Sequence, residues 1–357
     1  MRRLTVLQLL PALGNGGVER STLEIAAALV LAGHQSVVVS AGGRLVDLLQ
    51  SAGSQHIELD IGRKSLSTLR HVVALRRIIR QYQPDIVHAR SRLPAWLAWL
   101  ALRGLDAPRP HLITTVHGLN SPGWYSSIMT RGERVICVSG SVRAHVLCHW
   151  PPTNPANLVV IERGIDAAHF CPSPEGRPAA DGPKRLLMPG RGTRLKGHEA
   201  ALNLLADLRA AGCDASLWLL GTREPGREAY IAGIEAVAAS LGVANAIEIS
   251  PPVHDVLSAY RQADLVLQLS AKPEAFGRTV VEALCTGTPV VGWNHGGVGE
   301  LLGQYFPAGQ VALGDRQALL ATTIKVLAQP RPAPPIKLQS LEAMQAQTLK
   351  VYESLFA

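Results

Sequence analysis

The segment LTVLQLLPALGNGGVERSTLEIAAALV, residues 4–30, joins an apolar run, a glycine-rich turn and an amphipathic stretch. Residues 4–10 predict a buried β-strand, residues 14–20 a loop, and residues 21–32 a helix. A strand, a loop and a helix in this order form the repeating unit of parallel α/β sheets. No cleavage site of the A-x-A type follows residues 4–10, so we interpret them as a strand and not as part of a signal peptide.

The same unit recurs along the chain. In the first half, helical patterns separate the apolar runs SVVVSA, HIELD, DIVHA, HLITTVH and RVICVSG, and in the second half they separate RLLMPG, SLWLLG, AIEIS, LVLQLS and PVVGW. Between the halves, residues 166–183 are rich in Pro, Gly and Ala, which predicts a linker. The predicted fold class is therefore α/β, with two Rossmann-like, doubly wound parallel-sheet domains that face a cleft.

The expected domain boundaries follow from this pattern. We place an N-terminal Rossmann-like domain in residues 1–168, a linker in residues 169–183 and a C-terminal Rossmann-like domain in residues 184–335. Residues 336–357 follow the helix-breaking RPAPP stretch. They are predicted to form a C-terminal helix that packs back on the N-terminal domain.

The composition indicates a globular chain with one basic half. The 357 residues are 47% hydrophobic and 17% charged, which is typical of large buried cores. The net charge of +8 lies in residues 1–168, which hold 18 Lys and Arg against 10 Asp and Glu, whereas residues 169–357 hold 17 of each. A basic half predicts an anionic partner. Nucleic acid is not expected to be that partner, because the chain has neither aromatic platforms nor a recognised binding motif.

The cysteines and the apolar runs bear on the compartment. The five cysteines are scattered and have no metal-ligand spacing, which favours reduced thiols in a cytosolic setting. No apolar run reaches the roughly 18–20 residues that a membrane span needs. We therefore expect a cytoplasmic protein with no membrane-spanning segment.

Two strand-to-helix junctions suit an anion. In GNGGVER, Gly16 and Gly17 allow close approach of the backbone just before a helix N-terminus, although a plain tight turn would also explain them. In MPGRGTRLKGHEA, Arg191 and Lys196 flank a loop before a helix. Two cations at such a place favour a diphosphate site over a solvated basic loop, because Arg binds oxygens bidentately and Lys adds a point charge.

A third junction lies in KPEAFGRTVVEALCTGTPVV. Gly277 and the N–H groups of Arg278 and Thr279 open a helix, which again offers an anion site. Glu274 precedes this turn and Glu282 follows it, and carboxylates so close would repel an anion. Their presence is explained if they hold the hydroxyls on either side of a diphosphate, as in a nucleotide sugar. Two solvated glutamates would explain neither the glycine nor the pairing.

A histidine ends one further predicted strand. His117 follows the apolar run of TTVHGLN, where its ring can reach the cleft and donate a hydrogen bond. A structural or merely solvated histidine is the alternative, and the position alone favours neither.

The E-x7-E pair of Glu274 and Glu282 resembles the signature of retaining glycosyltransferases of family four, which adopt the two-domain GT-B fold. GGVER, His117, VIERGID, GRGTRLKG and NHGGVGELL occur in the order expected of that family, and the resemblance spans nearly the whole chain. Where the family often reads Pro-Asn-Gly, this chain has Glu162-Arg163-Gly164. Because that motif lies at the hinge, the change is expected to matter little.

The resemblance implies a role for each matching residue. Residues 1–168 would form the acceptor domain and residues 184–335 the donor domain. The implied catalytic residues are His117 at the transferring sugar, Arg191 and Lys196 at the leaving diphosphate, and Glu274 at the sugar hydroxyls. The implied donor-binding residues are Gly16, Gly17, Arg191, Lys196, Val253 near the base, Glu274, the backbone of Phe276, Gly277, Arg278 and Thr279, and Glu282 at the ribose. Nothing resembles an Asp-x-Asp site, so no metal and no cofactor is expected besides the nucleotide-sugar substrate, with a UDP-sugar favoured and GDP-mannose second.

The acceptor is indicated less directly. Residues 65–82 predict an amphipathic helix that can lie on an anionic membrane, although an ordinary surface helix is equally compatible. One arc of this helix carries four arginines: Arg70, Arg76, Arg77 and Arg80. Trp124, in the SPGWY loop, is a candidate for an acceptor lip or for simple packing. Since the relatives that it resembles build bacterial surface glycans, we predict a peripheral enzyme on the cytoplasmic face of the inner membrane, with a lipid-linked or lipopolysaccharide-core acceptor.

Two other functions stay open on the sequence. One is a non-catalytic nucleotide-sugar-binding partner subunit, against which the intact Glu274, Glu282 and Lys196 argue. The other is a nucleotide-sugar epimerase with the same GT-B fold, although epimerases lack this E-x7-E context. Glycan phosphorylases share this fold but are much longer, which argues against them.

Overall fold

The structure of the protein is a computed structural model that describes residues 2–14, 16–174, 182–253, 255–335 and 338–356. The chain forms two compact units: unit 1 is Met1–Gly164 with Leu341–Ala357, and unit 2 is Ile165–Ser340. The expected boundary at residue 168 and the division after Gly164 differ by a few residues. The expected linker lies partly outside the described residues, at 175–181, as do residues 336, 337 and 357 of the expected terminal segment.

Unit 1 contains a seven-stranded parallel sheet in the order β3-β2-β1-β4-β5-β6-β7. Its strands are β1 (Thr5–Leu9), β2 (Gln35–Ser40), β3 (Gln55–Glu58), β4 (Ile86–Ala89), β5 (His111–Val116), β6 (Arg134–Cys137) and β7 (Leu158–Val160). Its helices before unit 2 are α1 (Gly17–Leu31), α2 (Val46–Ser51), α3 (His71–Tyr82), α4 (Arg92–Arg103), α5 (Trp124–Ser127) and α6 (Gly140–His149), with 3₁₀ turns at Leu66–Arg70, Ile128–Thr130 and Pro155–Asn157. The central strands are buried on both faces and mostly apolar, as a parallel sheet covered by helices requires, but they also bury polar side chains such as Gln8, His88 and Thr115.

Unit 2 contains a six-stranded parallel sheet in the order β10-β9-β8-β11-β12-β13. Its strands are β8 (Lys184–Pro189), β9 (Ala215–Leu220), β10 (Ile247–Ser250), β11 (Leu265–Gln268), β12 (Val290–Trp293) and β13 (Gln310–Val311). Its helices are α7 (His198–Ala210), α8 (Glu228–Ser240), α9 (Leu257–Gln262), α10 (Arg278–Cys285), α11 (Gly296–Tyr305) and α12 (Arg316–Leu327), with 3₁₀ turns at Arg194–Lys196, Ala244–Ala246 and Pro307–Gly309. The predicted fold class, two Rossmann-like parallel-sheet domains, is confirmed.

A last helix, α13 (Leu341–Glu353), follows unit 2 in the chain but packs in unit 1. Its residues Met344, Val351 and Tyr352 are buried in one apolar cluster with Leu4 and Ile25. Unit 1 is therefore built from two separate stretches of the chain.

Both sheets reverse their strand order at one place, which fixes where ligands bind. The reversal lies between β1 and β4 in unit 1 and between β8 and β11 in unit 2. In open α/β sheets such a switch point leaves a crevice at the carboxyl ends of the two neighbouring strands. The loops that follow these four strands are therefore the places to look for a site.

Several elements had no sequence prediction. Strand β7 has only three residues, and α11, GGVGELLGQY, carries four glycines that hide its helical periodicity. The helix expected near residues 67–82 is divided, because a 3₁₀ turn at Leu66–Arg70 precedes α3. These are short or glycine-rich segments, in which tertiary packing decides the conformation.

Candidate functional site

Lys196 and Glu274 meet at the switch point of unit 2. Lys196 follows β8 and Glu274 follows β11, and the Lys196 Nζ donates to Glu274 Oε1 over 2.6 Å. Because the two strands are neighbours that end at the same edge, two loops far apart in sequence come into contact. The side chains are 29% and 25% exposed. A cation and a carboxylate are thus held together where a ligand can reach both.

Gly197 brings the Lys196 loop against the end of β11. Its φ of +81° lies in the left-handed region, and a Cβ there would lie 1.9 Å from the carbonyl oxygen of Leu269. Any side chain would push the loop away from β11. The glycine therefore sets the distance between Lys196 and Glu274.

Ser270 supports the Glu274 carboxylate, and Gln268 lies beside it. Ser270 Oγ lies 2.5 Å from Glu274 Oε1 and 3.0 Å from Gln268 Oε1. A hydroxyl has one proton and the carboxylate is the stronger acceptor, so Ser270 donates to Glu274. The sequence analysis missed both residues. A hint lies in the apolar run LVLQLS, which contains two polar residues, Gln268 and Ser270. Both are buried, and buried polar groups need hydrogen-bond partners.

Helix α10 begins directly after the Glu274 loop. Gly277, with φ of +102°, makes the turn, and a Cβ there would lie 2.9 Å from Val298 Cγ2. Arg278 and Thr279 are the first helical residues, so their N–H groups lie at the helix N-terminus. Phe276 is only 7% exposed as a whole residue, and its predicted backbone contact to the donor stays a prediction.

Glu282 is more enclosed than the sequence indicated. Its side chain is buried, Oε2 accepts from the Tyr260 hydroxyl over 2.9 Å, and Oε1 lies 3.3 Å from Arg278 Nε. Burial, and then the Glu282 carboxylate, raise the pKa of Tyr260 well above its ordinary value, so its hydroxyl stays a donor. Tyr260 was not foreseen, because a tyrosine in the short helix α9 looks like a packing residue. A ribose contact by Glu282 stays a prediction.

Two further donor-site candidates lie on the surface of unit 2. Arg191 is exposed on the loop after β8, and its carbonyl accepts from the Thr193 N–H over 2.8 Å. Val253 is 43% exposed in the segment after β10. Both follow the carboxyl ends of strands, as does the Lys196 loop. Their predicted contacts to diphosphate and base stay predictions.

His117 follows β5 in unit 1 and contacts Arg163. The Arg163 Nη2 reaches His117 Nδ1, and the Arg163 Nη1 reaches Ser21 Oγ. Burial lowers the pKa of His117 well below its ordinary value, and the cations Arg163 and Arg90 lower it further. His117 Nε2 is buried and has no hydrogen-bond partner among the described residues. Arg163, which stands where the family motif often has Asn, thus contacts a candidate catalytic residue, and the small effect expected of this change on activity stays a prediction.

A buried polar network lies beside His117. The Arg90 Nε donates to Gln8 Oε1 over 2.8 Å, and His88 contacts the Tyr352 hydroxyl through Nδ1 and Thr115 Oγ1 through Nε2, each over 2.7 Å. Burial is also the main cause that lowers the pKa of His88 well below its ordinary value. Gln8, His88 and Thr115 lie near the carboxyl ends of β1, β4 and β5, and Arg90 follows β4, so this edge of the unit 1 sheet is polar and carries a buried cation.

Gly16 and Gly17 lie at the start of α1. Gly16 has extended backbone and Gly17 is the first helical residue. A Cβ on Gly17 would meet no described atom within 4 Å, and one on Gly16 would meet only the flexible Glu19 side chain. Packing within the chain therefore does not require glycine at either position, and Asn15 between this turn and β1 lies outside the described residues.

The four arginines of the basic helix divide into two groups. Arg70, Arg77 and Arg80 are exposed, while Val72 and Leu75 face the core. Arg76 instead donates to the carbonyls of Leu100 over 3.1 Å and Ala101 over 3.2 Å, where it satisfies the end of α4. Its predicted place on the outward arc is corrected accordingly.

Trp124 belongs to an aromatic and arginine surface of unit 1. It is 71% exposed, and its ring stacks on Trp96 with 4.4 Å between centroids. Arg131 lies over Trp96 and Trp99, at 5.4 and 4.9 Å from the ring centroids. Trp124 is thus the exposed edge of a cluster of tryptophans that also holds Arg131, and its role as an acceptor lip stays a prediction.

Other features of the described residues bear on the remaining expectations. A cavity of about 1070 Å³ in unit 2 is lined by Arg185, Ser216 and Ile247 at the amino ends of their strands, so it lies away from Lys196. Within the described ranges, no group of three or more His, Cys, Asp and Glu could hold a metal ion. No described helix is long and apolar enough to cross a membrane.

The family follows from a match along almost the full chain. The model of Glycosyltransferase Family 4 matches residues 15–169, and the model of Glycosyl transferases group 1 matches residues 173–346. The chain belongs to glycosyltransferase family four. Among curated relatives, the glycogen synthase of Mycobacterium tuberculosis is 26% identical over an alignment of 342 residues. The match covers 84% of this chain and 80% of that protein. The predicted family is thus confirmed.

Solved structures show the same fold as this glycosyltransferase. A glycosyltransferase from Rickettsia africae is 29% identical with a TM-score of 0.86, and the match covers 100% of this chain and 99% of that one. Anabaena HepE in complex with UDP and glucose has a TM-score of 0.80 at 19% identity, covering 99% and 100%. The lipopolysaccharide outer core galactosyltransferase WaaB has a TM-score of 0.72 at 14% identity, covering 99% and 97%. The fold of this glycosyltransferase is therefore GT-B.

Proposed function

We propose that this glycosyltransferase is a retaining enzyme that moves a hexose from a UDP-sugar to a hydroxyl of a lipid-linked or lipopolysaccharide-core glycan. The observation that carries the proposal is the contact of Lys196 with Glu274 at the switch point of unit 2. It sets a phosphate-binding cation beside a hydroxyl-binding carboxylate. A sugar diphosphate has phosphates and hydroxyls at adjacent positions, so one ligand engages both.

The leaving diphosphate is stabilised by positive charge that is in place once the donor has bound. Lys196 turns from Glu274 to the phosphate oxygens, and the N–H groups at the start of α10 add their partial charge. Arg191 supplies a second cation from the loop after β8. Because these groups are positioned before the reaction, they stabilise the charge that develops on the diphosphate without reorganising.

Glu274 holds the sugar while the diphosphate departs. Once Lys196 turns away, Glu274 Oε1 keeps the Ser270 hydroxyl as a donor and accepts a further hydrogen bond from a sugar hydroxyl. The carboxylate then orients the anomeric carbon, and such positioning is itself a large part of catalysis.

Retention follows if the acceptor attacks the face from which the diphosphate leaves. The acceptor oxygen bonds to the anomeric carbon as the bond from that carbon to the phosphate oxygen breaks, and the acceptor proton passes to the leaving phosphate. His117 is not the acid in this scheme, because its lowered pKa keeps it neutral. No metal ion takes part in the proposed reaction.

The donor and acceptor classes rest on similarity of fold and on charge. A UDP-sugar is favoured because HepE, with the same fold, binds UDP and glucose, and GDP-mannose is second. The lipopolysaccharide acceptor is suggested by WaaB. Unit 1 carries the excess of positive charge and exposes Arg70, Arg77 and Arg80, so we place the enzyme on the cytoplasmic face of an anionic inner membrane.

The test begins with donor binding. UDP- and GDP-sugars are compared by thermal shift, with EDTA and no added metal, on the wild type, on Lys196→Ala and on Lys184→Ala. Lys184 is an exposed lysine at the other end of β8 and serves as the matched control. We expect stabilisation by UDP-sugars in the wild type and in the control, and its loss in Lys196→Ala. A shift that Lys196→Ala retains would contradict the proposed site.

Product analysis then separates the remaining possibilities. An α-linked product from an α-linked donor would support retention, and a β-linked product would contradict it. Donor binding without transfer to any lipid-linked acceptor would favour the binding subunit, and an epimerised donor would favour the epimerase. Binding to anionic vesicles at low salt, and none to neutral ones, is the result expected for the membrane.

A further inference from the structure

Arg163 occupies a position from which it controls His117. It follows β7 in the Glu162-Arg163-Gly164 segment, is half-buried, and contacts both His117 and Ser21. The contact joins the segment after β7 to the end of β5 within unit 1. The family motif that this segment resembles often has Asn where this chain has Arg163. The arginine therefore needs an explanation of its own.

The chemistry of a guanidinium fixes the state of the imidazole. A guanidinium has donors and no acceptor, so His117 Nδ1 must accept the hydrogen bond. A neutral imidazole whose Nδ1 accepts carries its proton on Nε2. Three charged or titratable groups face His117: Arg163 after β7, Arg90 after β4, and His88 on β4. Burial lowers the pKa of His117 most, and Arg163, Arg90 and His88 lower it further.

The Nε2 of His117 is left as a buried donor. It has no partner among the described residues, although buried N–H groups are almost always hydrogen-bonded. Leaving such a group unsatisfied carries a desolvation cost. A ligand oxygen or a bound water at this nitrogen would remove that cost.

We propose that Arg163 is a positioning residue that holds His117 as a neutral hydrogen-bond donor, with the proton on Nε2 and directed to an oxygen of the transferring sugar. The identity of that oxygen rests on the proposed function, whereas the tautomer does not. Arg163 thereby makes His117 an orienting group over the whole physiological pH range and denies it the role of an acid.

Nitrogen-15 NMR of the full chain tests the tautomer directly. The chain is labelled at its 12 histidines, and His117 is assigned by its loss in His117→Gln. Between pH 5.5 and 8 we expect a protonated Nε2 and an unprotonated Nδ1. In Arg163→Asn we expect mixed tautomers and a pKa that rises toward 6.5, while Arg163→Lys, which keeps a cationic donor, restores the wild-type pattern. Arg109→Asn, at an exposed arginine of unit 1, is the matched control.

Kinetics supplies the second readout. Release of UDP from UDP-glucose should fall about ten- to a hundredfold in kcat for Arg163→Asn, with little change in KM, because the sugar is bound but misoriented. Because the pKa of His117 should be higher without Arg163, the decline in rate on acidification should begin at a higher pH in this variant than in the wild type.

Each outcome decides a separate point. A proton on Nδ1 in the wild type, or an unchanged His117 titration in Arg163→Asn, would overturn the proposal. If Arg163→Asn fails to fold, which the other histidine signals would reveal, the wild-type tautomer still decides it. If the tautomer is as expected but no nucleotide sugar binds, the proposed function fails and the positioning role stands.

Discussion

The switch points of the two units share one topology and carry opposite chemistry. In unit 2, cations pair with carboxylates, as Lys196 does with Glu274 and Arg278 with Glu282. In unit 1, the cations Arg90 and Arg163 contact an amide, a hydroxyl and an imidazole. Strand order therefore determines where a site forms, and the residues after each strand determine what it can bind.

The contrast also explains which switch point suits a neutral hydroxyl. A carboxylate accepts hydrogen bonds from sugar hydroxyls and is held in place by a neighbouring cation until the ligand arrives. In unit 1, burial and two arginines keep imidazoles neutral instead. The predictions below test this difference, beginning with the largest expected effect.

Glu274→Gln should reduce transfer most. The change removes the charge that holds Lys196 and the stronger acceptor for a sugar hydroxyl, so kcat should fall about 10²–10³-fold. Glu235→Gln, at an exposed carboxylate that pairs with Arg223 in unit 2, should leave the rate unchanged. Release of UDP measures both. Equal losses in the two variants would show that the unit 2 switch point is not the site.

Acid should destabilise the fold through neutral buried histidines. Burial, and then Lys196, lower the pKa of His198 to about 4, while its unfolded value is 6.5. The unfolded chain therefore binds a proton below pH 6.5 that the folded chain does not bind until about pH 4. Stability falls as the pH falls through this window, by about 3 kcal/mol for this residue.

His198→Gln separates this contribution from those of unit 1. Glutamine can replace the contacts to Tyr230 at 2.8 Å and to Thr222 at 3.3 Å without taking up a proton. Urea unfolding at pH 7 and pH 4.5 should show a smaller loss in the variant. The remaining loss should come from His88 and His117, whose pKa values are also lowered. An unchanged loss would mean that His198 does not contribute.

Gly197→Ala should lower the stability of the fold, whereas Gly17→Ala should not. At Gly197 the left-handed backbone and the nearby Leu269 carbonyl should cost about 2–3 kcal/mol of stability. At Gly17 nothing described lies near the added methyl group, and Ala favours the helix, so stability should hold or rise. Loss of UDP-glucose affinity in Gly17→Ala, despite a stable fold, would support close approach of the diphosphate. An unchanged affinity would leave Gly17 as an ordinary turn residue.

Arg76→Ala and Arg77→Ala should give the smallest effects, the first on stability and the second on membrane binding. Arg76 satisfies two carbonyls of α4, so its loss should cost about 1–2 kcal/mol of stability. Arg77 is exposed, so its loss should leave stability unchanged and weaken binding to anionic vesicles by about 1 kcal/mol. Thermal unfolding and vesicle sedimentation measure the two. Unaltered vesicle binding in Arg77→Ala would argue against α3 as the membrane contact.

The sequence was sufficient for the fold and for the ends of the strands. Alternation of apolar runs and helical patterns predicted both sheets, because parallel strands buried on two faces are apolar throughout. The contact of Lys196 with Glu274 was within reach of the same argument, since both residues follow neighbouring strands. Arg76 was misplaced because a helical wheel does not show the carbonyls at the end of a neighbouring helix.

The supporting residues could not be predicted in the same way. Tyr260 and Ser270 hold carboxylates through contacts that depend on side-chain directions, which no periodicity encodes. Arg163 lies outside every strand and helix, in the segment after β7. Its role depends on which neighbouring loop its side chain reaches. The order of the strands in the folded sheet decides which loop that is.

Helix α13 has a consequence for how the protein is made. The ribosome synthesises the whole of unit 2 before it reaches Leu341–Glu353, so the apolar cluster around Leu4 and Ile25 waits for Met344, Val351 and Tyr352. Unit 2 is contiguous and can fold as it emerges, whereas unit 1 begins first and closes last. Any attempt to produce unit 1 alone must therefore join residues 341–356 to it, or leave its core open and His88 without the Tyr352 hydroxyl.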